Sequence, residues 1–334
     1  MVSQSARVDP ASAGPTRPLA ERRPLGDRTF QAVALASGLL VLAILVLIAV
    51  AMTQQSTSWF GKEGFSGIFS TAWVTTPGHY QLGALTFLYG TAVTSLIAII
   101  IAVPLSVSIA LLLTEVLPYR WARPVVYVVD LLAVVPSVVW GLWGVLIFAP
   151  WVQPHIYAPI ASGLKGVPVL GDLFGPGSTG AVYGTSLFTA GLILAVMITP
   201  IVTSLSREVI ATVPAIDREG AYALGATRLE MIRGVVWPHS QGGVVGAVLL
   251  GLGRAMGETI AAALVIGSST QITSHLFTPG YSMPAVIANQ FGESFGEFRA
   301  ALIGLGVLLF VLTIIINMMA RGIVARSAKR QQGA

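Results

Sequence analysis

Long apolar runs alternate with short polar stretches along this 334-residue chain. A run of about 20 apolar residues is long enough to cross a bilayer as a helix. The pattern predicts six such spans, at about 30–52, 83–114, 124–148, 184–205, 242–267 and 300–320. The first, Phe30 to Met52, exceeds the roughly 7–15 apolar residues of a secretory signal. It is read as an uncleaved span, although Ala49-Val50-Ala51 fits a cleavage site. Pro104 should kink the second span by removing one backbone hydrogen bond, and Pro136-Ser137 should break or kink the third. Residues 53–82 carry Trp59, Phe60, Trp73 and Tyr80, which suit a membrane interface. Residues 149–183, rich in Pro and Gly, read as an ordered external loop or a re-entrant feature. In the external segment 268–299, MPAVIANQFGES predicts a short helix opening at Pro284. The fold class is all-α: a polytopic transmembrane helical bundle.

Composition agrees. Hydrophobic residues make up 54% and charged residues 10%, against about 25% charged in a soluble domain. The net charge of +5 does not require nucleic acid, because the basic residues flank the spans. Five Lys or Arg lie in the N-terminal tail, two before the third span, four between the fourth and fifth, and four in the C-terminal tail; three lie on the opposite side. That bias predicts both termini in the cytoplasm. The expected organisation is a basic, disordered tail over 1–28, a transmembrane domain over 29–322 and a basic tail over 323–334. There is no cysteine, which excludes disulfides and thiolate metal sites, and His79, His155, His239 and His275 show no metal-ligand spacing. No metal is expected. No GxxxxGK[ST] loop is present, so the chain has no P-loop for ATP. No nucleophile–base spacing supports an enzyme.

Two charges interrupt the fifth run. Arg254 and Glu258 are four apart, so on a continuous helix they share a face. Arg254 lies about 18 Å from the start of that span at Gly242. A charge there costs about 2.5–3.5 kcal/mol on insertion scales, which predicts that the pair faces protein or a watery path. Gly253 and Gly257 beside it permit close approach. Asp130 and Ser137 in the third span are weaker candidates for the same path.

Directly upstream, residues 214–240 predict a charged helical hairpin outside the lipid. Pro214 opens a helix with Asp217 and Glu219 near its N-terminus, Gly225 ends it, and Thr227 with Glu230 has capping-box spacing. Pro238 is expected to stop the second helix and to act as a hinge. Two caps and two terminators favour a rigid docking element over a plain connection.

The hairpin is similar to the EAA motif of bacterial ABC-importer permeases, the MetI-like permease family. Glu219, Gly220, Ala221, Gly225, Val235, Trp237 and Pro238 occupy the motif, with Gly220 and Trp237 in place of the usual Ala and Leu. GLGRAMGET, LLAVVPSVVWGLWG and SMPAVIANQFGES resemble the PstC family of phosphate permeases, and the likeness covers about residues 30–322. The resemblance implies a multi-pass permease subunit of an ATP-driven phosphate importer in the bacterial inner membrane. It implies coupling to an ATPase through Glu219, Ala221, Gly225 and Pro238, and an anion path at Arg254 and Glu258. No cofactor would be bound by this chain; ATP-Mg would be used by the partner ATPase. The implied partners are a second, PstA-like permease chain, PstB-like ATP-binding subunits and an extracytoplasmic PstS-like phosphate-binding protein. A permease for molybdate or sulfate is the near alternative. A stand-alone secondary transporter is a further one, weakened by the lack of a strong internal repeat.

Overall fold

The structure, a computed structural model, describes residues 25–176 and 180–332. It divides into two compact units, residues 1–51 and 52–334. The tail expected over 1–28 lies outside the described residues as far as position 24; a helix, α1, runs from Leu25 to Ile68 with a kink at Gly64, whose φ of 62° and ψ of −168° are not helical. The elements that follow are β1 (Trp73–Val74), β2 (Gln81–Leu82), α2 (Leu85–Val116), α3 (Tyr119–Val134), α4 (Ser137–Gly163) and α5 (Leu170–Phe174). Then come α6 (Leu187–Ala211), α7 (Ala215–Ala223), α8 (Arg228–Gly257), α9 (Ile260–Val265), α10 (Met283–Gln290) and α11 (Gly296–Gln332). Among the described residues, six helices are long and apolar enough to cross a membrane: Thr29–Gly64, Leu85–Val116, Ser137–Gly163, Leu187–Ala211, Arg228–Gly257 and Gly296–Met319.

The third of these differs from the expected 124–148. Pro136 disfavours helical backbone at Val135, which adopts φ −59° and ψ 125°, so α3 ends at Val134. A new helix starts at Ser137 and continues to Gly163. The stretch 149–163, expected as loop, is therefore helical despite Pro150, Pro154 and Pro159. The reason lies in a repeated device. Four π-helical turns, Leu112–Val116, Gly144–Phe148, Gln153–Tyr157 and Ile232–Val236, each end two residues before a proline. In each, the residue preceding the proline donates its N–H five residues back: Leu117 to Leu112, Ala149 to Gly144, Ala158 to Gln153 and Trp237 to Ile232. The wider turn moves the ladder where the proline ring would otherwise meet a carbonyl and where an N–H is missing. In three of the four cases the helix survives its proline; at Pro118 it ends.

Apolar burial gains little over lipid contact in a bilayer, so close packing and hydrogen bonds must hold the bundle. Helix α6 is its centre and packs on α2, α3 and α8. Gly191 of α6 lies so near α2 that a Cβ would stand 2.6 Å from Ile97 Cγ2. The Ser106 hydroxyl of α2 donates to the Thr199 carbonyl of α6 at 3.1 Å.

The largest core cluster lies at the other end of the bundle from the hairpin residues 214–240 and joins Trp59, Phe87, Leu187, Ile266, Met283 and Leu302. Helix α10, expected within an external segment, is buried in it: Met283, Ala285 and Val286 are fully inaccessible. Its first N–H, from Met283, donates to the Thr91 hydroxyl at 2.9 Å. The aromatic residues expected at an interface also belong to this core. Trp59 is 3% exposed and donates its indole N–H to the Leu82 carbonyl. Trp73 donates to Gln290 and stacks edge-on against Phe87. Residues 53–63, up to the kink at Gly64, are helical, with polar side chains bonded back onto their own helix, as with Ser56 on the Met52 carbonyl and Thr57 on that of Gln54.

Candidate functional site

The hairpin is built from α7, a tight turn and the start of α8. Helix α7 ends in a Schellman turn: the Ala226 N–H donates to the Ala221 carbonyl at 3.1 Å and the Gly225 N–H to that of Tyr222 at 3.0 Å. Gly225 has φ +85°, which only glycine adopts without strain. Thr227 and Glu230 form a reciprocal capping box. The Thr227 N–H and hydroxyl both donate to Glu230 Oε2 at 2.8 Å, and the Glu230 N–H donates to Thr227 Oγ1.

The two sides of α7 have different surroundings. Ala221 is half-buried against a cluster that includes Ala110, Ile210 and Met231. Glu219 is exposed, as are the apolar Ile216, Tyr222, Leu224 and Leu229. Leu224 is 91% exposed, an unfavourable position for leucine in water.

Pro238 does not stop the second helix. With the π turn Ile232–Val236 ahead of it, the helix continues from Arg228 to Gly257. The hairpin and the fifth span are therefore one rod, about 45 Å long at 1.5 Å per residue. The expected hinge at Pro238 is replaced by an unbroken helix.

The rod ends where one helix through 242–267 was expected. Glu258 is extended (φ −69°, ψ 121°), and the chain restarts at Ile260 as the short α9. Arg254 and Glu258 therefore do not share the face of a continuous helix. No ion pair joins them; the ion pairs among the described residues are Lys62–Glu297, Arg207–Asp130 and Arg218–Glu115. Arg254 is exposed and lines a cavity of about 830 Å³. Gly242, Gly246 and Gly253 of α8 form part of its wall, and Asn317 and Arg321 of α11 complete it. Non-helical backbone at membrane depth is tolerated where it is enclosed by protein or lines a watery path. Discontinuous membrane helices are used for substrate and ion sites in transporters.

Asp130 on α3 accepts a hydrogen bond from Ser204 at 3.2 Å and stands 3.9 Å from Arg207, both on α6. It ties α3 to α6 and does not line the Arg254 cavity. Ser137 is the first residue of α4, half-buried, and is likewise absent from that cavity.

A contact not expected from the sequence anchors the hairpin. Arg218 Nη2 lies 3.1 Å from Glu115 Oε1 and also donates to the Ile210 carbonyl at 2.9 Å. The signal available was Glu115 itself, an acid at the end of an apolar run that requires a cation.

The chain matches the family described as "Binding-protein-dependent transport system inner membrane component" over residues 93–329. It is 41% identical to the phosphate transport system permease protein PstC of Mesorhizobium japonicum, covering 90% of this chain and 91% of that one. It is 41% identical to the PstC protein of Haemophilus influenzae, covering 84% and 88%. Its fold is similar to a crystal structure of a bacterial ABC transporter involved in the import of the acidic polysaccharide alginate, with TM-score 0.60, 16% identity and coverage of 90% and 96%. The chain, a multi-pass inner-membrane permease with no catalytic role of its own, belongs to the binding-protein-dependent transport system inner membrane component family.

Proposed function

We propose that this chain is one half of the membrane path of an ATP-driven phosphate importer, and that Arg254 is its anion-contacting residue. The observation that carries the reading is the helix break at Glu258, one turn beyond an unpaired Arg254 that opens into a cavity. A guanidinium offers a planar fork of donors to an oxyanion and keeps its charge at any physiological pH. The PstC relatives supply the identity of the anion. Glu258 does not line that cavity; it serves further along the path, accepting a hydrogen bond from a protonated phosphate oxygen, and sulfate has no such proton at neutral pH.

The exposed edge of the hairpin, with Glu219, Ile216 and Leu224, docks on a PstB-like ATPase on the cytoplasmic side. Gly225 sets the turn, and Ala221 seats α7 on the bundle. A PstA-like chain closes the path, a PstS-like protein delivers phosphate from outside, and both termini lie in the cytoplasm. Because α8 is unbroken from Arg228, movement of the hairpin reaches Arg254 without a flexible joint.

The test is reconstitution of the chain with its second permease, ATPase and binding protein in liposomes. ATP-dependent uptake of radiolabelled phosphate that excess sulfate or molybdate does not compete is expected. Uptake of those anions in preference to phosphate would overturn the choice of cargo.

A further inference from the structure

The cavity at Arg254 holds a second cation that neither the EAA motif nor the fifth span contains. Arg321 lies on α11, two residues past Met319, where the apolar window of the last span ends. Asn317 is one turn before it, and both line the same cavity as Arg254. Among the described residues no aspartate or glutamate lines that cavity, so two guanidinium groups face one space with no acid in its described wall. Both cations are open to an anion that enters the cavity.

The geometry orders the two cations along a route. The cavity follows α8 from Gly242 to Arg254, twelve residues or about 18 Å. Consecutive spans cross in opposite directions, so the hairpin end of α8 and the C-terminal end of α11 lie on the same side of the membrane. Arg254 is then the deep cation and Arg321 the cation at the hairpin-side mouth. Gly242 and Gly246 leave the wall of α8 bare, so an oxyanion can approach the helix closely between the two.

We propose that Arg321 and Asn317 form a second station for a phosphate-class oxyanion, on the exit side of Arg254. The Arg321 guanidinium supplies two parallel donors and the Asn317 carboxamide a third, which suits a tetrahedral oxyanion. Such an anion leaves Arg254 by passing to a second cation and not directly into the low-dielectric wall. The inference rests on the reading of Arg254 as anion-contacting. The same chemistry would also hold the phosphate of an anionic lipid headgroup.

The test uses the complete reconstituted transporter with Arg321→Gln, Arg321→Lys and Asn317→Ala. Two sets of liposomes are used, one of phosphatidylcholine alone and one containing phosphatidylglycerol. Loss of one charge-assisted contact should lower phosphate uptake about tenfold in Arg321→Gln, with Arg321→Lys, which keeps the charge but loses the fork, falling between it and wild type. ATPase assembly, read by co-purification, should be unchanged. A defect in phosphatidylcholine alone assigns the station to the transported anion. A defect confined to phosphatidylglycerol liposomes assigns it to a lipid headgroup, with the same chemistry. Uptake equal to wild type in both sets overturns the proposal. Absence of phosphate uptake by the wild-type transporter would instead overturn the choice of cargo.

Discussion

Arg218 Nη2 stands 3.1 Å from Glu115 Oε1 and joins the hairpin to the end of the second span. Glu115 is 5% exposed and Arg218 24%, so the acid is the more deeply enclosed partner. Arg218 also donates to the Ile210 carbonyl, which fixes its direction independently of Glu115.

The two truncations should therefore differ. Arg218→Ala strands a buried carboxylate and should cost roughly 3 kcal/mol, the lower end of the range for breaking a buried pair. Glu115→Ala leaves Arg218 with a carbonyl and a route to solvent, and should cost less. Thermal unfolding of the purified complex in detergent gives the order. A double variant no more stable than Arg218→Ala would contradict the coupling.

Gly225 has no freedom to change. Any L side chain at φ +85° is strained, and Gly225→Ala should destabilise the turn by about 1–2 kcal/mol. The expected result is weaker co-purification of the ATPase with normal insertion of the spans. Gly225→Asn, which tolerates this backbone better, should lose less. Glu219→Arg keeps the turn and reverses a charge on its exposed edge, so ATPase binding should fall while proteolytic sensitivity of the hairpin stays as in the wild type.

Pro238 gives the π turn its purpose. Pro238→Ala restores an N–H and removes the ring, so the Ile232–Val236 turn is free to relax to α-helix. Tightening that wide turn to α geometry, with the residue count unchanged, rotates the hairpin by about 100° relative to the rest of α8. Phosphate transported per ATP hydrolysed should fall, with ATP hydrolysis itself maintained. An unchanged ratio would show that the π turn does not set the hairpin's orientation.

Arg254→Gln removes the deep cation without removing bulk. Uptake should drop about 100-fold or more, the scale for losing a preorganised charged donor. Assembly with the ATPase should persist, because Arg254 makes no ion pair among the described residues and is remote from the hairpin. Normal uptake in this variant would end the assignment.

The long apolar runs by themselves determined that the chain is a bundle of long helices, and the caps at Pro214, Gly225, Thr227 and Glu230 located the hairpin's first helix and turn, though not the end of its second helix. Those features are local: run length and the chemistry of capping depend on neighbours within about one turn. What the proline positions meant was not local. A proline within a helix pattern reads as a stop, but at Pro150, Pro159 and Pro238 a π turn absorbs it, while Pro136 does break the chain. The choice depends on whether packing on either side repays a continuous rod. Glu258 is the converse case: its spacing from Arg254 fits a helix, yet the tertiary structure opens the backbone there. Likewise, no spacing rule connects Arg218 to Glu115, or Arg254 to Arg321. Arg218 and Glu115 meet, and Arg254 and Arg321 share one cavity, only because the helices that carry them pack as they do; burial of Glu115 is what gives its pairing consequence.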